Sequence, residues 1–310
     1  MVYTRRTFLS FGAVALASLW CMTGCSARVS GAGANPGDGS GMRSETVFAF
    51  DTVVTLSAFC DQAVMDAMID RCFHFEALFS RTLASSDIGR INEAMGAPTE
   101  VDEKTADIVR RSLAYSEATD GGFDISIGAV SSLWDFKEGI VPAPEAIEEA
   151  VCHVDYRNVD IDGNVVTLLD PCAKLDLGGI AKGYIADDLA GYLVDAGCTS
   201  ACINLGGTVK TVGRKPDGDP WHVGIQDPLG TRDQVIASLD VQDGALVTSG
   251  LNERQFVEDG VRYWHILDPR TGYPVVTDLA SASIVCSAAV DGDGYTKPLF
   301  MMSIDDALAC

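Results

Sequence analysis

Residues 201–287 consist of short apolar segments separated by Gly and Asp, and this pattern restricts the fold more than any other feature of the chain. Gly206-Gly207 is one of the turns, and Asp268-Pro269 begins another. Strands this short, joined by turns this tight, pair with their sequence neighbours in antiparallel hairpins. Helical periodicity elsewhere adds helices to these strands. We therefore predict an α+β fold with mixed or largely antiparallel sheets packed with helices.

The first part of the chain carries separate strand and helix signals. We expect a strand over residues 47–59 and a helix that begins after Asp61, because apolar side chains then recur three or four residues apart. These side chains are Val64, Met68, Cys72, Phe75 and Phe79. Turn and periodicity signals predict a second helix over residues 105–118 and a hairpin over residues 159–169. They also predict a short strand over residues 174–177 and a third helix over residues 180–196.

Residues 1–25 predict export and attachment to a lipid. Arg5-Arg6 belongs to a twin-arginine pattern, and the apolar run that follows is shorter than the roughly 20 residues of a membrane span. Met22 to Cys25 resembles a bacterial lipobox. Two acyl chains on Cys25 would anchor the protein stably, so we expect it on the outer face of the bacterial cytoplasmic membrane. An ordinary cleaved signal with incidental arginines is the alternative.

Composition and charge describe the rest of the chain. Residues 26–44 form a Gly/Ser-rich tether, which spans about 25 Å if it is flexible. We assign residues 45–310 to one folded domain. The formal net charge of −22 argues against a nucleic-acid partner, because phosphate backbones are bound by Lys and Arg. An anionic ligand must therefore be held by local features of the fold.

A glycine doublet offers one such feature. The segment KLDLGGIAKGY runs from a predicted strand into Gly178-Gly179, which opens a predicted helix. Free N–H groups at a helix start attract phosphates, and Lys182 adds a positive charge one turn later. Asp176 is suited to hold a ring N–H or a sugar hydroxyl. A plain strand-to-helix turn is the alternative interpretation.

Two further segments contain candidate catalytic residues. His265 ends a predicted strand and precedes the turn Asp268-Pro269, and a purely structural histidine is the alternative. Asp293 lies in a DGDG segment that resembles the start of a calcium loop. That interpretation fails because the position that should hold an acid is Met302. A helix cap is the remaining structural explanation for Asp293.

Taken together, the motifs resemble those of the ApbE family of FAD:protein FMN transferases. The resemblance extends from Phe50 to Phe300. It rests on the ordered segments FDTVVT, SSDIGRIN, TDGGFDISIG, LWDF, LDLGGIAKGY, INLGG, TSG and HILDPRTGYP. Agreement of this many ordered motifs by chance is negligible.

The resemblance implies an α+β flavin transferase that uses Mg²⁺ and takes FAD as its substrate. A Thr or Ser hydroxyl of an acceptor protein attacks the FMN-side phosphorus, FMN stays on the acceptor and AMP leaves. The acceptor is expected to be a membrane or exported redox protein. The implied FAD contacts are Phe50, Gly122, Phe123, Asp124, Asp176, Lys182, His265 and Ile266.

The resemblance also implies metal ligands and a base. The Gly179 carbonyl and the Asp293 carboxylate are the implied Mg²⁺ ligands, and such hard oxygen donors suit this ion. His265 is our candidate general base, because it is the one group in the motifs expected to titrate near neutral pH. Asp293 is the alternative base.

Two departures from the family pattern concern the C-terminal segment. Lys297 stands where the family has a Thr ligand, and an ammonium has no lone pair to give a metal. We take Thr296 as the third ligand, with water as the alternative, and expect Lys297 to point away from the metal. The sequence also stops at Cys310, whereas family members continue into a further helix and strand, so the resemblance implies a shortened C-terminus.

Three other functions remain open at this point. The same site with water as the nucleophile would be an FAD pyrophosphatase that yields FMN and AMP. The departure at Lys297 also fits a non-catalytic flavin-binding lipoprotein. A solute-binding lipoprotein of a transporter would share the signal and tether, but it has no need for the segment HILDPRTG.

Overall fold

The computed structural model describes residues 41–309. The export signal, Cys25 and nearly all of the tether lie outside these residues. Among the described residues, no helix combines the length and the apolar character needed to cross a membrane.

A six-stranded antiparallel sheet forms the centre of the molecule, which confirms the predicted fold class. Its spatial order is β1-β2-β6-β7-β10-β13. The strands are β1 (Met42–Ala49), β2 (Thr52–Phe59), β6 (Ser200–Leu205), β7 (Thr208–Gly213), β10 (Ala245–Gly250) and β13 (Ser281–Cys286). Two of its five neighbouring pairs, β1-β2 and β6-β7, are hairpins of consecutive strands, as the short segments and tight turns predicted, and the other three join strands that are distant in sequence.

The prediction of one strand over residues 47–59 is wrong, because the chain reverses at Phe50-Asp51. Ala49 pairs with Thr52, which leaves a two-residue hairpin turn between β1 and β2. Both turn residues have positive φ, 55° and 57°. This conformation matches the twist of a hairpin and is found mainly at Gly, Asn and Asp. Asp51 therefore fits the turn, whereas Phe50 before it carries no turn signal.

Eight helices are described between residues 62 and 309. They are α1 (Gln62–Phe79), α2 (Asp87–Glu93), α3 (Glu103–Ala118), α4 (Gly128–Ser131), α5 (Pro144–Val151), α6 (Ala181–Asp195), α7 (Ala289–Leu299) and α8 (Ile304–Ala309). The predicted helices around α1, α3 and α6 are confirmed. Helix α3 begins earlier than predicted because the Asp102 carboxylate caps it, accepting a hydrogen bond from the Lys104 amide at 2.8 Å.

Helices and a hairpin cover opposite faces of the sheet. On β10, Val247 packs in the main core with α1, α6 and α7, whereas Leu246 points the other way. Leu246 packs there against Val223 and Val241 of a separate hairpin, β8 (Trp221–Gln226) and β9 (Val235–Val241). The sheet is thus covered on both sides around β10, and α6 and α7 lie together on one of these sides.

Smaller sheets complete the fold. β3 (Thr99–Glu100), β4 (Val159–Asp162) and β5 (Val165–Leu168) form one of them, in the order β3-β5-β4, and include the hairpin predicted around Gly163. β11 (Gln255–Glu258) and β12 (Val261–Trp264) form another.

The short strand predicted over residues 174–177 is wrong. Only Lys174 makes a ladder contact, with Ile127. The next residue pairs with a side chain: the Leu175 amide donates to Asn92 Oδ1 at 2.6 Å, and the Leu175 carbonyl accepts from Asn92 Nδ2 at 2.9 Å. The Asn92 amide therefore replaces a neighbouring strand and holds the segment that leads into the glycine doublet.

Helix α6 approaches the start of α7 so closely that a side chain would not fit between them. A methyl group placed on Gly183 would lie 2.4 Å from the Ala289 carbonyl oxygen and 2.7 Å from the Val290 Cα. Backbone atoms cannot move aside as a flexible side chain can. Gly183 is therefore required for the two helices to meet.

We expect Gly183→Ala to lower the free energy of unfolding by about 1–3 kcal/mol, because the added methyl group forces α6 and α7 apart. Gly191 of the same helix is the matched control, since it is exposed and nothing lies within 4 Å of a methyl group placed there. Gly191→Ala should raise stability by about 0.5–1 kcal/mol. Denaturant unfolding of both variants measures the difference, and an undisturbed Gly183→Ala protein would contradict the close approach.

Candidate functional site

The carboxylate of Asp293 joins α7 to the start of α6. Its Oδ2 accepts a hydrogen bond from the Gly183 amide at 2.6 Å, and the residue is only 1% exposed. Asp293 lies inside α7, not in a loop before a helix as the DGDG segment suggested. The Gly183 amide at the start of α6 is therefore already hydrogen-bonded to Asp293 and is not available to a bound anion.

Lys297 binds the other oxygen of the same carboxylate. It lies one helical turn after Asp293, and its Nζ is 2.8 Å from Asp293 Oδ1 and 3.1 Å from the Asp293 carbonyl oxygen. The expectation that Lys297 points away is wrong. Burial lowers the pKa of the Lys297 ammonium, and the adjacent Asp293 carboxylate opposes that shift.

Thr296 faces the sheet and not the carboxylate. Its side chain is fully buried, and its hydroxyl accepts a hydrogen bond from Ser249 Oγ of β10 at 2.9 Å. The same hydroxyl is 3.5 Å from the Asp293 carbonyl oxygen, so it contacts the backbone of Asp293 and not its carboxylate. Of the three predicted metal ligands, Gly179 and Asp293 lie near Lys297, and Thr296 is bonded to Ser249.

The glycine doublet lies beside Lys297 and Phe123. A methyl group on Gly179 would be 3.1 Å from Phe123 Cε2 and 4.0 Å from Lys297 Cε. One on Gly122 would lie 3.5 Å from the Cβ of Pro298. The loop that contains Gly122 and Phe123 therefore meets the doublet and the end of α7.

Lys182 connects this group to the second glycine turn. Its Nζ donates to the Gly206 carbonyl at 2.9 Å. Gly206 has φ +56°, and a methyl group there would lie 2.2 Å from Thr52 Oγ1. The hairpin β1-β2, the turn after β6 and the start of α6 therefore meet at one place.

The two remaining acids on the predicted FAD surface bind groups of the protein. Asp176 accepts from Ser131 Oγ at 2.6 Å and from the Gly178 amide at 2.8 Å, and its Oδ2 is 3.1 Å from Arg81 Nε. Asp176 therefore fixes the doublet from one side.

Asp124 is buried and accepts from Ser126 Oγ at 2.7 Å and from the Tyr156 amide at 2.9 Å. Burial raises the pKa of the Asp124 carboxyl. The Asp124 carboxylate therefore stabilises the conformation of the loop in which it lies.

The tip of the first hairpin carries Phe50 and Asp51. The Phe50 amide donates to Glu76 Oε1 at 3.2 Å. Asp51 pairs with Lys137 at 2.8 Å and with Arg254 at 3.1 Å. The tip is thereby tied to two separate segments of the chain at the edge of the site.

His265 lies among the cations of the site. Its Nδ1 is buried and has no hydrogen-bond partner among the described residues. Burial, together with the positive charges of Arg254, Lys182 and Lys297, lowers the pKa of the imidazole to about 3. The expectation that His265 titrates near neutral pH is therefore wrong for the protein without substrate. The neighbouring Ile266 is 5% exposed and packs with Leu251, Val275 and Phe300, among others.

Sequence reasoning missed the residues that hold the predicted ones in position. Arg81 and Ser131 hold Asp176, Asn92 holds Leu175, and Ser249 holds Thr296. All four act across long sequence separations. Asn92 and Ser249 belong to the quoted motifs SSDIGRIN and TSG, but their partners lie far away in sequence, so no local pattern indicated which group each would hold.

The site gathers positive charge in an acidic protein. Lys182, Arg254 and Lys297 all lie close enough to His265 to influence its protonation. The chain as a whole carries a net charge of −22. A local cluster of cations beside a glycine doublet is suited to bind an anion such as a pyrophosphate.

Comparison with known proteins agrees with this arrangement. The model of the ApbE family matches residues 50–310. The FAD:protein FMN transferase of Treponema pallidum is 35% identical, over 76% of this chain and 70% of that protein. One from Klebsiella pneumoniae is 34% identical, over 80% and 78%. The crystal structure of the Thermotoga maritima ApbE protein superposes with a TM-score of 0.78 at 34% identity, over 84% of this chain and 87% of that one.

The low pKa of His265 predicts a pH-dependent stability. Below pH 6.5 the unfolded chain binds a proton at this imidazole, whereas the folded protein binds it only near pH 3. Acidification therefore favours the unfolded state throughout that window, by about 2 kcal/mol at pH 5. Replacing His265 by Gln removes this contribution. Denaturant unfolding at pH 7 and pH 5 should show a smaller loss in His265→Gln than in the unmodified protein, and equal losses would disprove the shift.

Proposed function

Because the chain belongs to the ApbE family and is an enzyme of the transferase class, we propose that it transfers FMN from FAD to a Thr or Ser hydroxyl of an acceptor protein. The observation that carries this proposal is the placement of two cations at two glycine turns: Lys297 lies beside Gly179, and Lys182 donates to the Gly206 carbonyl. Cations at turns that admit a close backbone approach suit the two phosphates of a dinucleotide.

The proposed reaction breaks one phosphorus–oxygen bond and makes another. The acceptor hydroxyl oxygen attacks the FMN-side phosphorus, the hydroxyl proton passes to a base of the enzyme, and AMP leaves with the bridging oxygen. FMN then remains on the acceptor as a phosphoester. Phosphoryl transfer depends on positioning of the reactants and on neutralisation of their negative charge. The cations near His265 supply the charge neutralisation.

His265 is our candidate for the base, and its low pKa is compatible with that role. The imidazole is neutral above pH 3 and so is free to accept a proton. The pKa is low partly because the charges of Arg254 and Lys182 face the ring. A bound pyrophosphate brings negative charge among the same groups and raises the pKa towards the useful range. Asp293 is less suited, since both its oxygens already accept hydrogen bonds.

The proposed FAD contacts other than His265 fall into three groups by their surroundings. Lys182, Gly122 and Phe123 lie around the glycine doublet, where the phosphates would be held. Phe50, at the tip of the first hairpin, is near the edge of the site. Asp176, Asp124 and Ile266 shape the surfaces behind these groups, and we propose that they contribute mainly by fixing the doublet and its neighbouring loop.

The residues predicted to hold Mg²⁺ do not fit that ion as they are arranged. Magnesium requires a near-octahedral shell of oxygens at about 2.0–2.1 Å. Both oxygens of Asp293 have partners, Thr296 is bound to Ser249, and the Lys297 ammonium lies on the carboxylate. A divalent ion 4 Å from that ammonium would be repelled by about 8 kcal/mol at an effective dielectric of 20. Magnesium dependence stays a prediction from the resemblance, and the reaction above includes no step through the ion.

The proposed location follows from the N-terminal sequence alone. We propose that Cys25 carries the lipid anchor and that the tether lets the enzyme reach an acceptor on the outer face of the cytoplasmic membrane. A membrane or exported redox protein is the acceptor class that fits this location.

Incubation of the enzyme with FAD and an acceptor domain tests the proposed function. We expect protein-bound flavin fluorescence and an equimolar release of AMP. An acceptor whose target Thr or Ser is replaced by Ala is the control and should stay unlabelled. Release of free FMN and AMP without labelling would identify a pyrophosphatase instead, and binding of FAD without AMP release would identify a flavin-binding protein.

His265→Ala adds a second arm to this assay. Loss of a general base typically reduces the rate by about 10²–10⁴-fold, so transfer should fall by that factor while FAD still binds. His222 is a suitable control histidine, because it is exposed on β8 and pairs with Asp240. Full transfer activity in His265→Ala would exclude it as the base.

The lipid anchor has its own test. Replacing Cys25 with Ala removes the proposed acylation site, and the variant should move from the membrane fraction to the soluble fraction after export. Fractionation followed by immunodetection measures this change. A variant that remained in the membrane fraction would exclude anchoring at Cys25.

A further inference from the structure

We propose that Lys297 is the built-in cation of this site: its ammonium occupies the position on Asp293 where a metal ion was expected and binds a phosphate oxygen of the substrate directly. The identity of that substrate rests on the proposed function. The inference about Lys297 rests on its own contacts.

The first support is the direction of the ammonium. Two of its three N–H donors have acceptors within the protein, Asp293 Oδ1 at 2.8 Å and the Asp293 carbonyl at 3.1 Å. The third N–H donor of the Lys297 ammonium is available to bind a ligand. The Lys297 side chain is 20% exposed whereas Asp293 is 1% exposed, so the pair is open on the lysine side only. That open side lies next to Gly179, where a phosphate can approach the backbone.

The second support is the balance of charge. The charged groups that act on Lys297 are Asp293 and Glu253, which are acidic, and Lys182, which is basic. Two carboxylates therefore face two ammonium groups, and Arg254 adds a further cation near His265. A divalent ion would add two positive charges to a site whose buried carboxylate, Asp293, is already paired with an ammonium and a backbone amide. The Lys297 ammonium is already paired with Asp293, so it fills this position without adding unpaired positive charge to the site.

The third support is that α7 cannot turn to exchange Lys297 for Thr296. A methyl group on Gly292 would lie 2.5 Å from Val247 Cγ2, and one on Gly294 would lie 2.7 Å from the Tyr115 ring. The helix is thus pressed against a strand on one side and an aromatic ring on another. Consecutive helical residues differ by about 100° in direction, so bringing Thr296 to the carboxylate would require breaking these contacts.

The consequence is a transferase site that does not depend on a divalent ion. An ammonium is a compact point charge that binds phosphate well without the geometric demands of a metal shell. Replacing Lys297 with Thr should therefore create a requirement for metal as well as remove a charge.

Binding of Mn²⁺, measured by electron paramagnetic resonance on the full chain with FAD present, tests this directly. FAD alone is the blank. We expect no protein-bound Mn²⁺ above that blank in the unmodified protein, and at least tenfold tighter binding in Lys297→Thr. Lys215→Thr makes the same change at a lysine that lies beside Trp221 on β8, and it should behave as the unmodified protein.

Turnover with a chelator gives the second readout. The unmodified enzyme should keep its transfer rate in excess EDTA, and Lys297→Thr should be inactive in EDTA and recover with Mg²⁺. The inference is overturned if the unmodified protein binds Mn²⁺ in a manner lost in Asp293→Ala, or if EDTA abolishes its turnover and Mg²⁺ restores it. Both of these outcomes use the unmodified protein, so a misfolded Lys297→Thr would not prevent the decision.

The two readouts also separate this inference from the proposed function. Exclusion of Mn²⁺ by the unmodified protein, without transfer to any acceptor, would support the role of Lys297 and contradict the transferase proposal. Transfer that requires Mg²⁺, with Mn²⁺ bound at Asp293, would support the transferase and contradict the role of Lys297.

Discussion

The contact between Asp293 and the start of α6 is the interaction on which the site depends. One oxygen of this buried carboxylate caps the Gly183 amide, and the other holds the Lys297 ammonium. Because the carboxylate is almost fully buried, removing either partner would leave a costly unpaired group. This single side chain therefore fixes the position of Lys297 relative to the start of α6, where the glycine doublet and Lys182 lie.

Close helix packing makes that contact possible. Gly183 lets α6 reach the backbone of α7, and Gly292 and Gly294 let α7 lie against β10 and α3. The DGDG segment therefore serves packing as much as chemistry. Its two glycines are helical and have ordinary φ values, so their role is the absence of a side chain and not backbone freedom.

The sequence predicted those parts of the fold that local chemistry determines. The hairpin around Gly163 and helix α6 were found because their turn residues and periodicity lie within short windows. The turn at Phe50-Asp51 was missed because Phe50, which has no turn preference, adopts positive φ there, and Asp51 alone did not indicate a turn. The segment after Lys174 was misjudged because a side chain distant in sequence, Asn92, takes the place of a strand.

In the candidate site, too, the sequence predicted what is determined locally and missed what depends on distant residues. The motifs identified the segments that meet, but the direction of each side chain depends on packing between them. Lys297 turns towards Asp293 because Thr296 is held by Ser249, a contact 47 residues away in sequence. The pKa of His265 depends on cations contributed by three separate segments. No pattern within one motif contains this information.

The tip of the first hairpin has a further consequence for how a ligand reaches the site. Asp51 is tied to Lys137 and Arg254 by ion pairs whose side chains are 39%, 72% and 47% exposed. Exposed pairs of this kind contribute only about 0–1 kcal/mol each, and dissolved salt screens them. Beyond its strand pairing and the hydrogen bond of Phe50 to Glu76, the tip is therefore held at the edge of the site by forces that ionic strength weakens. We accordingly expect the salt content of the surrounding medium to affect how a ligand passes these two ion pairs, whereas the buried contacts at Asp293 are unaffected.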